Sequence, residues 1–245
     1  IFLFEQKFLL ISDTTLLMLA DPNQPLLRKL AVEAPGSYQH SLQVANIAEE
    51  AARVIGANMH LTRTGALYHD IGKVANPSYY IENIADGVSP HEKLDPRDSA
   101  KVIINHVRQG VVLAKNYKIP VQVIDFIRTH HGTSVAYFFY KKHVDQNPGE
   151  KDNTKAFTYP GPKPFSKETA IVMMADAVEA SSRSLEKYTE EGISELVERI
   201  MYLQEQDGQY SDVPLTYKDI SDIKSVFKKR LQNIYHVRVA YPDRI

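Results

Sequence analysis

Five of the nine histidines in this 245-residue chain fall on apolar helix faces or at helix ends, and two aspartates share those surroundings. This pattern limits the possible folds more than any other feature. The periodicity is helical nearly throughout. A helix over 37–56 carries Val44, Ile47, Ala48, Ala51, Val54 and Ile55 at three- and four-residue spacings, and His40 shares that face. In TRTGALYHDIG, Thr62 can cap a helix and Gly72 can end it, which puts His69 and Asp70 in the last turn. His106 sits in the stripe Val102, Ile103, Val107, Val111 and Ala114 of a helix over 95–117. His130 and His131 close a short helix begun by Pro120, and Asp176 lies mid-helix in an apolar run capped by Ser166. A last helix, over 216–239, starts at a capping-box-like Thr216 to Asp219.

Taken singly, each histidine reads as a satisfied core residue, and Asp70 as half of a buried ion pair. Together they need a common partner, because burying so many polar groups in one helical core is costly. A metal supplies it. Asp70 sharpens the point: a carboxylate at a helix carboxyl end opposes the dipole and calls for a cation. The chain has no cysteine, so thiolate sites and disulfides are excluded. Imidazole and carboxylate ligands suit Fe, Mn, Zn, Co or Ni. His40, His69, Asp70, His106, His130, His131 and Asp176 exceed what one octahedral ion takes. Two ions sharing a carboxylate, about 3.5–4 Å apart, would use them. Lys73 then reads either as a phosphate-binding point charge or as a solvated lysine after a helix.

The rest of the composition narrows the class. Net charge is −1, so no broad basic surface for a nucleic-acid polymer is indicated. The apolar start, IFLFEQKFLLISDTTLLMLAD, is interrupted by Glu5, Lys7 and Asp13. No run of about 18 apolar residues exists, so neither a membrane span nor a signal peptide is expected. The chain begins with Ile, and the expectation is a fragment of a longer protein. Between Gly132 and Ser166 the helical pattern fails, and KKHVDQNPGEKDNTKAF reads as a mobile loop. No domain boundary is visible, so one all-α domain is expected.

The ordered set His40, His69-Asp70 in HDIGK, His106, His130-His131 and Asp176 resembles the metal-binding pattern of HD-domain phosphohydrolases. EAPGSYQHS, GALYHDIGK, YIEN, NHVRQGVVLA, IDFIRTHHGT, YPGPKP, MMADAVEASSRSL and DGQ resemble the cytoplasmic domain of seven-transmembrane HD phosphodiesterases, from about residue 14 to 242. That resemblance implies a helical HD bundle with a dinuclear Fe or Mn centre in its core, hydrolysing cyclic di-AMP to linear pApA. It implies that His40, His69, Asp70 and Asp176 hold the first ion and that Asp70 bridges to a second, held by His106, His130 and His131. His131 either ligates or contacts a bound phosphate. Residues 1–20 become a juxtamembrane linker and 21–245 the HD domain, on the cytoplasmic side of a membrane protein whose transmembrane and sensor regions lie upstream. A homodimer is the associated expectation.

On this reading a hydroxide bridging the ions attacks phosphorus, with Asp70 and Lys73 as the catalytic groups. Arg183, seven residues after Asp176, either reaches a phosphate or makes a structural ion pair. HHGTSVAYFFY replaces the GYP tripeptide of the HD-GYP family, which argues against cyclic di-GMP. The alternatives are another nucleotide substrate, a sensor that binds without cleaving, and di-iron oxygenase chemistry.

Overall fold

Proline and short polar side chains start most of the helices in this protein. The computed structural model describes residues 10–84, 87–151 and 153–235. They form α1 (Asp13–Leu19), α2 (Pro25–Glu33), α3 (Pro35–Val54), α4 (Met59–Tyr68), α5 (Pro96–Asn116), α6 (Val121–Thr129), α7 (Tyr137–Gln146), α8 (Lys167–Ser182), α9 (Glu190–Gln206) and α10 (Tyr217–Ile234). Short 3-10 turns fill the α4–α5 connection. The fold is all-α as expected, and among the described residues the only β-pairing is one bridge between Val135 and Thr158.

Pro25, Pro35 and Pro96 open α2, α3 and α5, where a missing N–H costs nothing. Ser166 and Thr216 each complete a capping box, with Thr169 and Asp219 respectively. One cap differs from expectation. Asn58, not Thr62, caps α4, and Thr62 is buried inside the helix with its hydroxyl donating to the Asn58 carbonyl.

α3 is the central helix, packed by α2, α4, α8 and α10. Its buried face alternates Val44 and Ile47 with Ala45, Ala48, Ala51 and Ala52, and the small side chains admit close neighbours. Gly65 plays the same part between α4 and α6, since a methyl group there would overlap the Phe126 ring. α1 packs on α4: Leu16 is fully buried, Thr64 donates to the Leu16 carbonyl, and the Tyr68 hydroxyl donates to that of Leu19. Part of the span read as a linker therefore contributes to the core. Residues 1–9 of that span lie outside the described residues, as does the 236–239 end of the last expected helix. No described helix is long and apolar enough to cross a membrane.

The 132–166 segment needs a correction. It contains α7, whose first turn is solvated at Tyr137 and Phe138, so no apolar stripe announces it. The helix is anchored by His143, which is buried against Phe157 at 5.3 Å between ring centroids and is bonded to Asn147 and Glu150. His143 is thus a packed helical residue, not a loop histidine.

Candidate metal centre

The seven sequence-predicted ligands arrive on five helices or their ends. His40 comes from the second turn of α3, His106 from the middle of α5 and Asp176 from the middle of α8. His69 and His130 are the C-cap residues of α4 and α6, with Asp70 and His131 immediately after them. Asp70 lies just past the helix rather than in its last turn, where it begins a 3-10 turn over Ile71–Ala75. Gly72 in that turn does not stop a helix. It lets the turn press against α5, because a Cβ there would overlap the His106 carbonyl oxygen.

The seven groups converge. Asp70 Oδ2 lies 3.6 Å from His40 Nε2 and 3.4 Å from His69 Nε2. Its other oxygen, Oδ1, lies 3.4 Å from His106 Nε2 and 3.7 Å from His130 Nε2. Asp176 Oδ1 is 2.9 Å from His40 Nε2 and 3.7 Å from His69 Nε2, and its Oδ2 is 3.8 Å from His131 Nδ1. Potential ligand atoms group within 4.8 Å of one another in three overlapping sets: His40, His69 and Asp176; His69, Asp70 and His130; His106, His130 and His131. The His131 ring also packs on Tyr159, 4.2 Å between centroids.

The backbone fixes which nitrogen faces the centre. His69 Nδ1 donates to the Ala66 carbonyl at 2.6 Å, His106 Nδ1 to Ile103 at 2.6 Å, and His130 Nδ1 to Ile127 at 3.0 Å. In each ring Nε2 then faces the centre, and the neutral ring is the tautomer a metal ligand requires. His40 differs, with its Nδ1 2.5 Å from Glu179 Oε2.

These donors fit divalent cations. His106 and His130 bring Nε2 atoms within 3.0 Å while both Nδ1 protons are committed to carbonyls, so two lone pairs face each other. Asp70 Oδ1 and His69 Nε2 are buried with no hydrogen-bond partner. Such atoms are costly in a folded core unless a cation joins them.

The electrostatics split the site. Burial pushes the Asp70 and Asp176 carboxyls up, but nearby cations and imidazoles more than reverse this and hold both well below the usual range. Burial lowers His69, while Asp70 and Asp176 outweigh it and raise the imidazole to about 10. His40 is raised in the same way by Asp176 and Glu179. His106, His130 and His131 are lowered, chiefly by burial. Without metal, the His69 proton therefore offsets carboxylate charge in one half of the centre, and the other half stays a set of neutral imidazoles.

Lys73 is neither solvated nor free. Its Nζ lies 2.7 Å from Asp70 Oδ2 and 2.7 Å from Glu82 Oε1, over the Tyr80 ring. It is the first cation to offset Asp70 at the helix end. Arg183 forks onto Glu179 Oε1, with Nε at 3.1 Å and Nη2 at 2.7 Å. A cleft of about 380 Å³ opens over the centre, and its lining includes the polar Lys73, Glu82, His131, Asp176 and Arg183 and the apolar Met173, Ile200 and Leu203.

The sequence reading did not single out Glu82 or Glu179. Glu179 was findable, since it lies three residues past Asp176 on the same helical face. Glu82 carries only the faint signal of YIEN. Its partner Ser37 lies 45 residues away, and the loop is seated by Asn83 Oδ1 accepting from the Gly36 and Ser37 amides. Gly36 admits the loop, because any side chain there would overlap the Glu82 carbonyl.

A model of the HD domain matches residues 37–181. The chain is 44% identical over 240 residues to the cyclic-di-AMP phosphodiesterase PgpH of Bacillus subtilis, covering 98% of this chain and 34% of that protein. It is 41% identical to PgpH of Listeria monocytogenes, covering 98% of this chain and 33% of that protein. The chain thus spans about a third of the length of these curated relatives. The crystal structure of the L. monocytogenes PgpH HD domain in complex with cyclic di-AMP superposes with a TM-score of 0.84 at 40% identity, over 88% of this chain and 100% of that one.

Proposed function

The chain belongs to the HD-domain family and is homologous to the PgpH phosphodiesterases, and from that premise we propose that it is a catalytic domain hydrolysing cyclic di-AMP to linear pApA. The observation that carries this reading is the orientation of Asp70, one carboxylate oxygen facing His40 and His69 and the other facing His106 and His130. A carboxylate set between two imidazole groups suits a bridge between two ions.

His40, His69, Asp70 and Asp176 would hold one divalent ion; Asp70, His106, His130 and His131 would hold the other, with Fe or Mn as the metals. When bound, the ions supply Lewis acidity, acidify water and neutralise charge on the phosphoryl oxygens. The chain's own groups position the reaction. Three backbone carbonyls keep the imidazoles of His69, His106 and His130 in one tautomer. Lys73, held by Glu82 and Asp70, keeps an ammonium at the cleft wall, where it would meet a phosphate oxygen. Arg183, which also lines the cleft, extends this wall, and His131 either ligates or contacts the phosphate. In the reaction a water oxygen bonds to phosphorus and one P–O3′ bond breaks. The leaving 3′ oxygen takes one proton of that water and solvent takes the other.

We further propose that residues 21–245 are a domain on the cytoplasmic side of a membrane protein, that 1–20 lead back to transmembrane and sensor regions, and that two copies pair; the resemblance to the PgpH proteins supports this reading. The test is a product assay with Mn²⁺-loaded protein on cyclic di-AMP and cyclic di-GMP in parallel, with Asp70→Ala as control. Linear pApA from the wild type alone is the expected result. Turnover of cyclic di-GMP without cyclic di-AMP would overturn the substrate, and no product from either with metal bound would overturn the activity.

A further inference from the structure

His40 is held differently from His69, His106 and His130. The rings of His69, His106 and His130 are oriented by backbone carbonyls, which no substitution can remove. The ring of His40 is oriented by a side chain, Glu179, whose Oε2 lies 2.5 Å from Nδ1 while Nε2 faces Asp176 Oδ1 at 2.9 Å. Glu179 is 4% exposed, so its charge is held in the core. Its second oxygen, Oε1, takes both the Nε and Nη2 protons of Arg183, one helical turn further along α8. Arg183 is the exposed end of this chain of contacts, with 39% of its side chain accessible at the cleft.

From this geometry we propose that Glu179 is a positioning residue of the metal centre: it fixes the His40 ring with Nε2 inward, and Arg183 fixes Glu179. The inference rests on the reading that the centre holds two ions. A carboxylate behind a ligating imidazole locks the tautomer and increases its basicity, and loss of such a partner typically lowers metal affinity by about 10–100-fold. The arrangement also gives Arg183 a definite task. Its fork matches one carboxylate oxygen and keeps Oε2 free for His40, a division of labour a lysine cannot reproduce with a point charge. Only one of the two ions depends on His40, so the effect of losing Glu179 falls on one half of the centre.

The experiment compares the wild type with Glu179→Ala, Glu179→Gln and Arg183→Lys. The metal is Mn²⁺ alone, read as bound stoichiometry against a competing chelator and by electron paramagnetic resonance of the coupled pair. Melting of each metal-free variant reports folding separately. The wild type binds two ions. Glu179→Ala is expected to retain one tightly and bind the other about 10–100-fold more weakly, with loss of the coupled-pair signal. Glu179→Gln still offers an oxygen to His40 Nδ1–H and falls between. Arg183→Lys shows a smaller loss in the same half. Two ions bound by Glu179→Ala and Glu179→Gln as tightly as by the wild type would overturn the proposal. So would equal weakening of both ions. A wild type that binds no metal would instead remove the two-ion reading beneath it.

Discussion

His106 and His130 hold their Nε2 atoms 3.0 Å apart, with neither ring able to offer the other a proton. Without a cation this is a repulsive contact, and with one it is two ligands already in place. Metal should therefore stabilise the fold by binding the folded state alone. At a free concentration 1,000 times the dissociation constant the gain is about 4 kcal/mol. Thermal melts before and after chelation should differ by many degrees, and Asp70→Ala should abolish most of the difference. Coincident melts would count against a preformed site.

The two halves of the centre should take up metal with different proton traffic. Asp70 and Asp176 raise His69 to about 10, so it carries a proton at pH 7 in the metal-free chain, and His40 is shifted in the same direction. Ligation must expel the His69 proton. His106, His130 and His131 are lowered and already neutral. Affinity of the His40–His69 half should thus climb with pH up to about 10, while that of the His106–His130–His131 half is flat above about pH 6.5, the ordinary histidine value. Calorimetric titration in buffers of different ionisation enthalpy measures this directly; equal proton release from both ions would contradict it.

Lys73 answers two carboxylates at once, the buried Asp70 and the partly buried Glu82. Lys73→Met keeps the stem and removes the charge, leaving Asp70 and Glu82 facing each other. Removing one member of a buried pair costs about 3–5 kcal/mol, and the metal-free protein should lose that much. The metal-loaded protein should lose less, because the ions take over Asp70. Urea denaturation of both forms tests the difference, and equal losses would rule out this division of roles.

Gly72 sits where the HD turn crosses α5, and the oxygen it spares belongs to His106 itself. Gly72→Ala forces the turn away from the helix. Overpacking of this kind costs about 1–3 kcal/mol. It should also separate Asp70 from His106, so metal binding falls together with stability. A variant of unchanged stability and metal content would show that the turn has slack.

The helices that carry the seven convergent groups were legible because the histidines stand out against apolar stripes that set their direction, whereas those over 25–33 and 190–206 were not singled out. Val44 fixes where His40 points, and Val107 does the same for His106. Local contacts of this kind are written in adjacent letters. Features that depend on distant partners were not. α7 is held by His143 against Phe157, two residues from different elements, and its own first turn faces solvent. The α4 cap went to Asn58 rather than Thr62 because Thr62 is needed inside the core. Glu82 has meaning only beside Lys73 and Ser37, and Arg183 only beside Glu179; spacing alone left Arg183 open between phosphate and ion pair.

The α3 helix has no capping side chain of its own. Asn83 provides one, accepting from the Gly36 amide 47 positions earlier in the chain. A ribosome releases the helix that bears His40 well before the residue that completes its first turn, and Asp176 follows 136 positions after His40. On a growing chain the first ligand thus waits, incompletely anchored, for partners not yet synthesised. The ligand set is thus completed late in synthesis, and a chain truncated before α8 would carry most of the histidines but lack Asp176.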